Sequence, residues 1–101
     1  MAFNFSSIDG FDWDTGNLEH IKKHSVSKQE CEGAFLTKQP ILTEDVTHSQ
    51  GEERYRVYGQ TNSGRLLFII MTIRQNKIRV ISARDQNKKE REEFVQGGES
   101  V

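Results

Sequence analysis

The sequence is short of several residues that announce common protein classes. Among 101 residues there is one cysteine, Cys31, and one proline, Pro40. A lone cysteine cannot build an intramolecular disulfide framework, which fits a reducing cytosol. The longest apolar run, Leu66 to Met71, falls far short of the roughly 20 residues that cross a bilayer. Met1 to Ser7 has neither the basic region nor the apolar core of a secretory leader, so none is expected. The eight glycines are scattered, and no glycine-rich phosphate loop follows a strand, which argues against a nucleotide cofactor. No Gly-x-Ser-x-Gly turn offers a serine nucleophile. His20 and His24 stand four apart, a spacing that can bind zinc. The glutamate of a hydrolytic zinc helix is replaced by Ile21, and Lys22 and Lys23 repel a cation. The remaining histidine, His48, is expected in a loop, so no metal is expected. A cytoplasmic protein without membrane, metal or cofactor remains.

What is present is charge, unevenly spread. Residues 1–53 hold four Lys/Arg against ten Asp/Glu, while residues 54–91 hold ten Lys/Arg against two. Such asymmetry points towards nucleic acid; the other reading is acidic helices neutralising a basic sheet within one fold. The apolar content is low, 34%, but it gathers in short periodic runs, so the chain reads as folded. Its length fits a single domain over residues 1–101, with 1–8 and 97–101 as flexible ends.

Phe11-Asp12-Trp13 alternates as a short edge strand. Asp14 offers an N-cap to a helix carrying Leu18 and Ile21, closed by Lys22, Lys23 and His24. Ser27-Lys28-Gln29-Glu30 matches a capping box, with Val26 placed to staple against Cys31. Cys31, Ala34 and Phe35 share one helical face, which makes the cysteine a core residue rather than a nucleophile. Pro40 ends this helix, and Gln39 before it is pushed towards extended geometry. From residue 54 the period changes to that of strands: Arg54–Thr61, a turn at Asn62-Ser63-Gly64, Arg65–Arg74 as a central strand covered on both faces, and Ile78–Arg84. Asn87–Val95 reads as a polar helix. The expected fold is α+β, two N-terminal helices and a C-terminal helix on one face of an antiparallel meander.

The chemistry then rests on seven arginines: Arg54, Arg56, Arg65, Arg74, Arg79, Arg84 and Arg91. A guanidinium fork matches phosphate oxygens and stays charged. Cleavage of RNA by its own 2′-hydroxyl needs a proton acceptor, cations at the phosphoryl oxygens and a donor for the departing 5′ oxygen. Basic strands are also commonly solvated sheet faces, and Arg56 reads as such a surface residue.

The order of short motifs is more specific. Phe11-Asp12-Trp13-Asp14, Gly16-Asn17 and Lys23-His24-Ser25-Val26-Ser27 resemble the opening blocks of the BrnT toxin family. Glu52-Glu53-Arg54, Gly59, Gly64-Arg65, Thr72-Ile73-Arg74, Ile78 to Arg84 and Glu90-Arg91 are similar to its later blocks. The resemblance spans residues 11–94 and implies a RelE-like fold and metal-independent endoribonuclease activity that arrests translation. It also implies a BrnA-like ribbon-helix-helix antitoxin, with DNA reached only through that partner, and allows a homodimer within the complex. The implied catalytic residues are Arg74 and Arg84 clamping the scissile phosphate, His24 or Glu53 accepting the proton, and Lys23 assisting. Arg54, Arg65, Arg79, Lys88 and Lys89 are the implied RNA contacts. Two other readings stand beside this one, a BrnT-like module that grips RNA or an antitoxin without cutting, and a purely structural partner.

A register argument constrains the clamp. Arg74 and Arg84 serve one phosphate only if they share a sheet face. That requires a three-residue turn over Gln75-Asn76-Lys77, or a bulge with the same effect, and places Arg79 and Ile81 on the other face.

Overall fold

A computed structural model describes residues 7–36, 40–45 and 51–99. In chain order these form β1 (Gly10–Phe11), α1 (Thr15–Lys22), α2 (Lys28–Leu36), β2 (Ile41–Glu44), β3 (Arg54–Gln60), β4 (Leu66–Arg74), β5 (Lys77–Asp85) and α3 (Lys88–Glu99). The architecture is α+β. The expected arm at 1–6, Gln39, His48 and residues 100–101 lie outside the described residues.

Local chemistry sets each helix start. Asp14 accepts from the Asn17 backbone N–H at 3.1 Å, and the Asn17 side chain accepts from the Asp14 N–H at 2.8 Å. Asn17 is buried, and its amide donates to the carbonyls of Asp12 and Val80. One side chain thus caps α1 and ties it to β5. Ser25, with φ 57°, turns the chain into α2, where Ser27 and Glu30 close the expected capping box at 3.1 and 3.0 Å. Asn87 and Glu90 do the same for α3. That helix continues through Gly97 and Gly98 to Glu99, where a polar tail was expected.

The sheet order is β1-β5-β4-β3-β2. β1 runs parallel to β5 and the other pairs are antiparallel, so the sheet is mixed rather than a pure meander. Ile21, Cys31, Ala34 and Phe35 of the first two helices, with Val26 from the turn between them, pack on Val57, Leu67, Ile69, Met71, Ile78, Val80 and Ala83. These strand residues all project from one face, which α1 and α2 cover. Cys31 is fully buried, and burial pushes its thiol up to about 12, in keeping with a packing role. α2 crosses β3 at Gly59, where a β-carbon would stand 2.7 Å from the Ala34 carbonyl oxygen.

Two expectations need correction. α3 is not on the face shared by α1 and α2. It joins the other face through Arg84–Glu90 and Tyr58–Glu93. β4 is accordingly not covered on both faces: Leu67, Ile69 and Met71 are buried, whereas Leu66, Phe68 and Ile70 on the second face are half-buried. The β4–β5 turn has two residues, Gln75 and Asn76, both at positive φ (51° and 62°), and pairs Arg74 with Lys77. The register then shifts: Met71 pairs with Val80 but Ile70 pairs with Ser82, leaving Ile81 as a bulge.

Candidate functional site on the open face of the sheet

The bulge decides which side chains stand together. Before it, Arg74, Lys77, Thr72 and Arg79 share the face away from α1 and α2. After it, Ser82 and Arg84 share that same face, opposite Ile70 and Phe68. Arg74 and Arg84 therefore lie on one face, by the bulge and not by a longer turn. Arg79 lies with them, contrary to the expectation that it would face the other way, because the shift comes after it. β3 adds Arg54, Arg56 and Tyr58, and β2 adds Ile41 and Thr43. Six cations consequently stand on the face that α1 and α2 leave open: Arg54, Arg56, Arg74, Lys77, Arg79 and Arg84.

Sharing a face does not make a clamp. Arg84 lies opposite Phe68, six residues along β4 from Arg74, about 20 Å at roughly 3.3 Å per residue. Each guanidinium is turned to its own carboxylate, Arg74 to Glu52 at 3.4 Å and Arg84 to Glu90. The paired grip on one phosphate is corrected on these grounds.

Arg84 is the best-organised cation of the face. Its two terminal nitrogens meet the two oxygens of Glu90 at 2.8 and 3.0 Å, and its carbon centre lies 4.4 Å from the Phe68 ring centroid. The Glu90 carboxylate holds the arginine's pKa up, and the same pairing holds Glu90 down. The side chain of Arg84 remains 39% exposed, within reach of a ligand. Beside it Tyr58 packs on Phe68 at 5.6 Å and donates to Glu93 at 3.1 Å. Burial, then that carboxylate, raises the phenol's pKa. Arg56 is exposed, one row away from Tyr58. With Ile41, Thr43 and Glu93 these two bound a hollow of about 190 Å³. Arg79 is held by Asp12 at 3.6 Å and Asp14 at 2.9 Å.

The other implied residues are elsewhere. Lys23 and His24 end α1, on the covered side. Glu53 precedes β3, accepts from the Tyr55 hydroxyl at 2.6 Å and drives that phenol up to about 12. Tyr55 belongs to the helix-covered face, so neither proton acceptor implied for the site is brought to Arg84. Arg65 is a structural hub. It binds Asp85 at 2.7 Å, Glu30 at 3.1 Å and the carbonyls of Ser25 and His24. Lys88 and Lys89 are exposed on the first turn of α3. The sequence singles out neither Tyr58 nor Glu93, and Arg56 is exposed, as its surface reading expects. The alternation of Arg54, Arg56 and Tyr58 signals that the three share a face but not which face is covered, and nothing in the sequence brings Glu93 of α3 to them.

A family model for BrnT, described as the ribonuclease toxin of type II toxin-antitoxin systems, matches residues 13–90. The chain belongs to the BrnT toxin family. As a member of a type II toxin family it has an antitoxin for a partner. No curated protein matches the chain. The matched stretch of this BrnT member runs from Trp13 to Glu90 and so takes in every strand after β1 as well as the Arg84–Glu90 pair. No described helix is long and apolar enough to cross a membrane.

Proposed function

We propose that this BrnT protein is a metal-independent endoribonuclease that cuts RNA on the open sheet face and thereby stops translation in the cytoplasm. The observation that carries this reading is the assembly of six cations on the single face free of α1 and α2. In the reaction the 2′-oxygen attacks the neighbouring phosphorus and the 5′-oxygen departs, taking a proton from solvent water, which leaves a 2′,3′-cyclic phosphate and a 5′-hydroxyl. Arg84 takes the scissile phosphate with the fork now offered to Glu90, since carboxylate and phosphate present the same pair of acceptor oxygens. Glu90, displaced from the fork, loses the cation that holds its pKa down and becomes the carboxylate at hand for the 2′ proton. Arg56, two strands away, stabilises the charge that develops on the phosphoryl oxygens. Arg54, Arg79 and Arg74 carry the flanking backbone. The partner in this proposal is a BrnA-like ribbon-helix-helix antitoxin, through which alone DNA is reached.

Purified protein incubated with a defined RNA, with and without EDTA, is expected to give cyclic-phosphate ends at equal rates. Arg84→Ala and Arg56→Ala are each expected to slow cleavage about 10²–10³-fold, the loss typical of a transition-state charge contact. Binding without product would make the domain a gripping module, and rates unchanged in both variants would move the site off this face.

A further inference from the structure

The hollow between β2, β3 and α3 has a composition that phosphate binding alone does not explain. Tyr58, whose ring packs on Phe68, and Ile41 are its apolar lining. Thr43 and the exposed Arg56 lie on one side. Glu93, from α3, closes the other, its carboxylate located by the Tyr58 hydroxyl at 3.1 Å. An acidic side chain is out of place in a site meant only for phosphate, because it repels an anion. An aromatic ring with a carboxylate bonded at its hydroxyl end suits a nucleobase, whose face stacks and whose edge donates.

We infer that this hollow is a base-reading subsite of the ribonuclease, and that Glu93 selects guanine there. Guanine offers two adjacent donors on its pairing edge, N1–H and N2–H₂, which match the two oxygens of one carboxylate. Uracil offers a single N–H between two carbonyls, and those oxygens repel the carboxylate. Adenine and cytosine each pair one amine donor with an unprotonated ring nitrogen, so they satisfy one carboxylate oxygen and crowd the other. Arg56 at the rim fixes the phosphate attached to the selected nucleotide, which sets the scissile bond relative to Arg84. Glu93 and Tyr58 are specificity and positioning residues in this arrangement, while the bond-breaking chemistry stays with Arg84, Arg56 and Glu90. The inference rests on the open face being where RNA binds.

Two measurements separate the inference from that reading. The first is cleavage of four short RNAs that differ in one base at the cut site, by wild type, Glu93→Gln and Tyr58→Phe. The second is anisotropy binding of the same four oligonucleotides with 2′-O-methyl groups, which cannot be cut. Wild type is expected to favour guanine over uracil about ten-fold, in line with the worth of one bidentate base contact. Glu93→Gln is expected to level that preference while still cutting RNA, and Tyr58→Phe to weaken it with the stacking ring retained. Glu93 is exposed, so its substitution leaves the core intact. A guanine preference unchanged in Glu93→Gln, or none in wild type, overturns the subsite and leaves the ribonuclease standing. Guanine-selective binding that requires Glu93, without cleavage of any RNA, keeps the subsite and overturns the ribonuclease.

Discussion

Arg65 reaches oxygens from three separate segments: the α1–α2 turn through His24 and Ser25, α2 through Glu30, and the end of β5 through Asp85. Arg65→Ala leaves two carboxylates without their cation and two carbonyls without a donor, and is expected to cost about 1–2 kcal/mol once solvent screening is allowed for. The guanidinium holds Asp85 below the usual carboxylate range, and with the Ser27 N–H it does the same for Glu30. A depressed folded-state pKa gives stability that is present above the unfolded value and lost as pH falls through the folded one. Wild-type stability should therefore drop below about pH 4.5, and the drop should be shallower in Arg65→Ala. Denaturant melts at neutral and acidic pH compare the two, and parallel slopes would remove Arg65 from the account. Tyr55 gives an independent check on Glu53. Removing that carboxylate's charge in Glu53→Gln should bring the phenol down from about 12 towards its ordinary 10, visible in an ultraviolet titration. A phenol still near 12 would place Glu53 away from Tyr55. Residue type alone could not have separated Arg65 from Arg56. Arg65 precedes one strand and Arg56 lies within another, both in basic surroundings, and only the carboxylates that the fold brings to one of them tell them apart.

At the scale of elements, what was legible in the sequence is what neighbours in the chain decide. The Asp14 and Ser27 caps, the buried face of α2 and the three long strands are set within a few residues, and each is present. β2 went unread because a four-residue edge strand takes its structure from its partner β3 rather than from its own pattern. The side taken by α3 was illegible for a related reason. The helix is polar apart from Phe94 and Val95, and Glu90 and Glu93 tie it to Arg84 and Tyr58. The turn after β4 stayed open between a three-residue turn and a bulge because Gln75 is a poor signal for a left-handed conformation, and the bulge is what the strand has. Asn76→Gly suits its φ of 62° and is expected to stabilise the hairpin by about 0.5–1 kcal/mol, raising the melting temperature by a few degrees. Gly59→Ala should do the reverse. Its methyl meets the Ala34 carbonyl at 2.7 Å, so α2 must lift from β3, at about 1–3 kcal/mol. A melting temperature equal to wild type would mean that the two elements have slack.

Across the whole molecule the charge asymmetry becomes a layer structure. The acid-rich first half supplies α1 and α2 on one side, and the basic second half supplies the sheet whose other side stays open. The reading of acids neutralising a basic sheet within one fold is therefore partly realised. Arg65 and Arg79 are neutralised within the fold, while Arg56 and Arg84 face outward. An antitoxin that silences such a surface should bring an acidic segment to the Arg56–Arg84 region. Association should slow as salt screens steering beyond about 8–10 Å. Stopped-flow association over a salt series tests this, and a salt-independent rate, or a partner that covers only α1 and α2, would refute it.

The extra residue at Ile81 carries a consequence for how this protein tolerates changes of length. Ile81 is an extra residue in the ladder, so Met71–Val80 and Ile70–Ser82 become consecutive pairs if it is removed. Losing the Ile81 codon would therefore straighten β5 and leave Ser82 and Arg84 on the open face. Pairing Ile81 with Ile70 instead, with no change of length, would carry Ser82 and Arg84 to the covered face, bring Asp85 to the open one and strip Arg65 of a partner. A codon gained or lost in the Asn62–Gly64 turn, on exposed backbone between two strands, touches neither arrangement. β5 thus tolerates one residue too few at its bulge. The change it must resist is a slip of register at constant length, which would turn the open surface inside out.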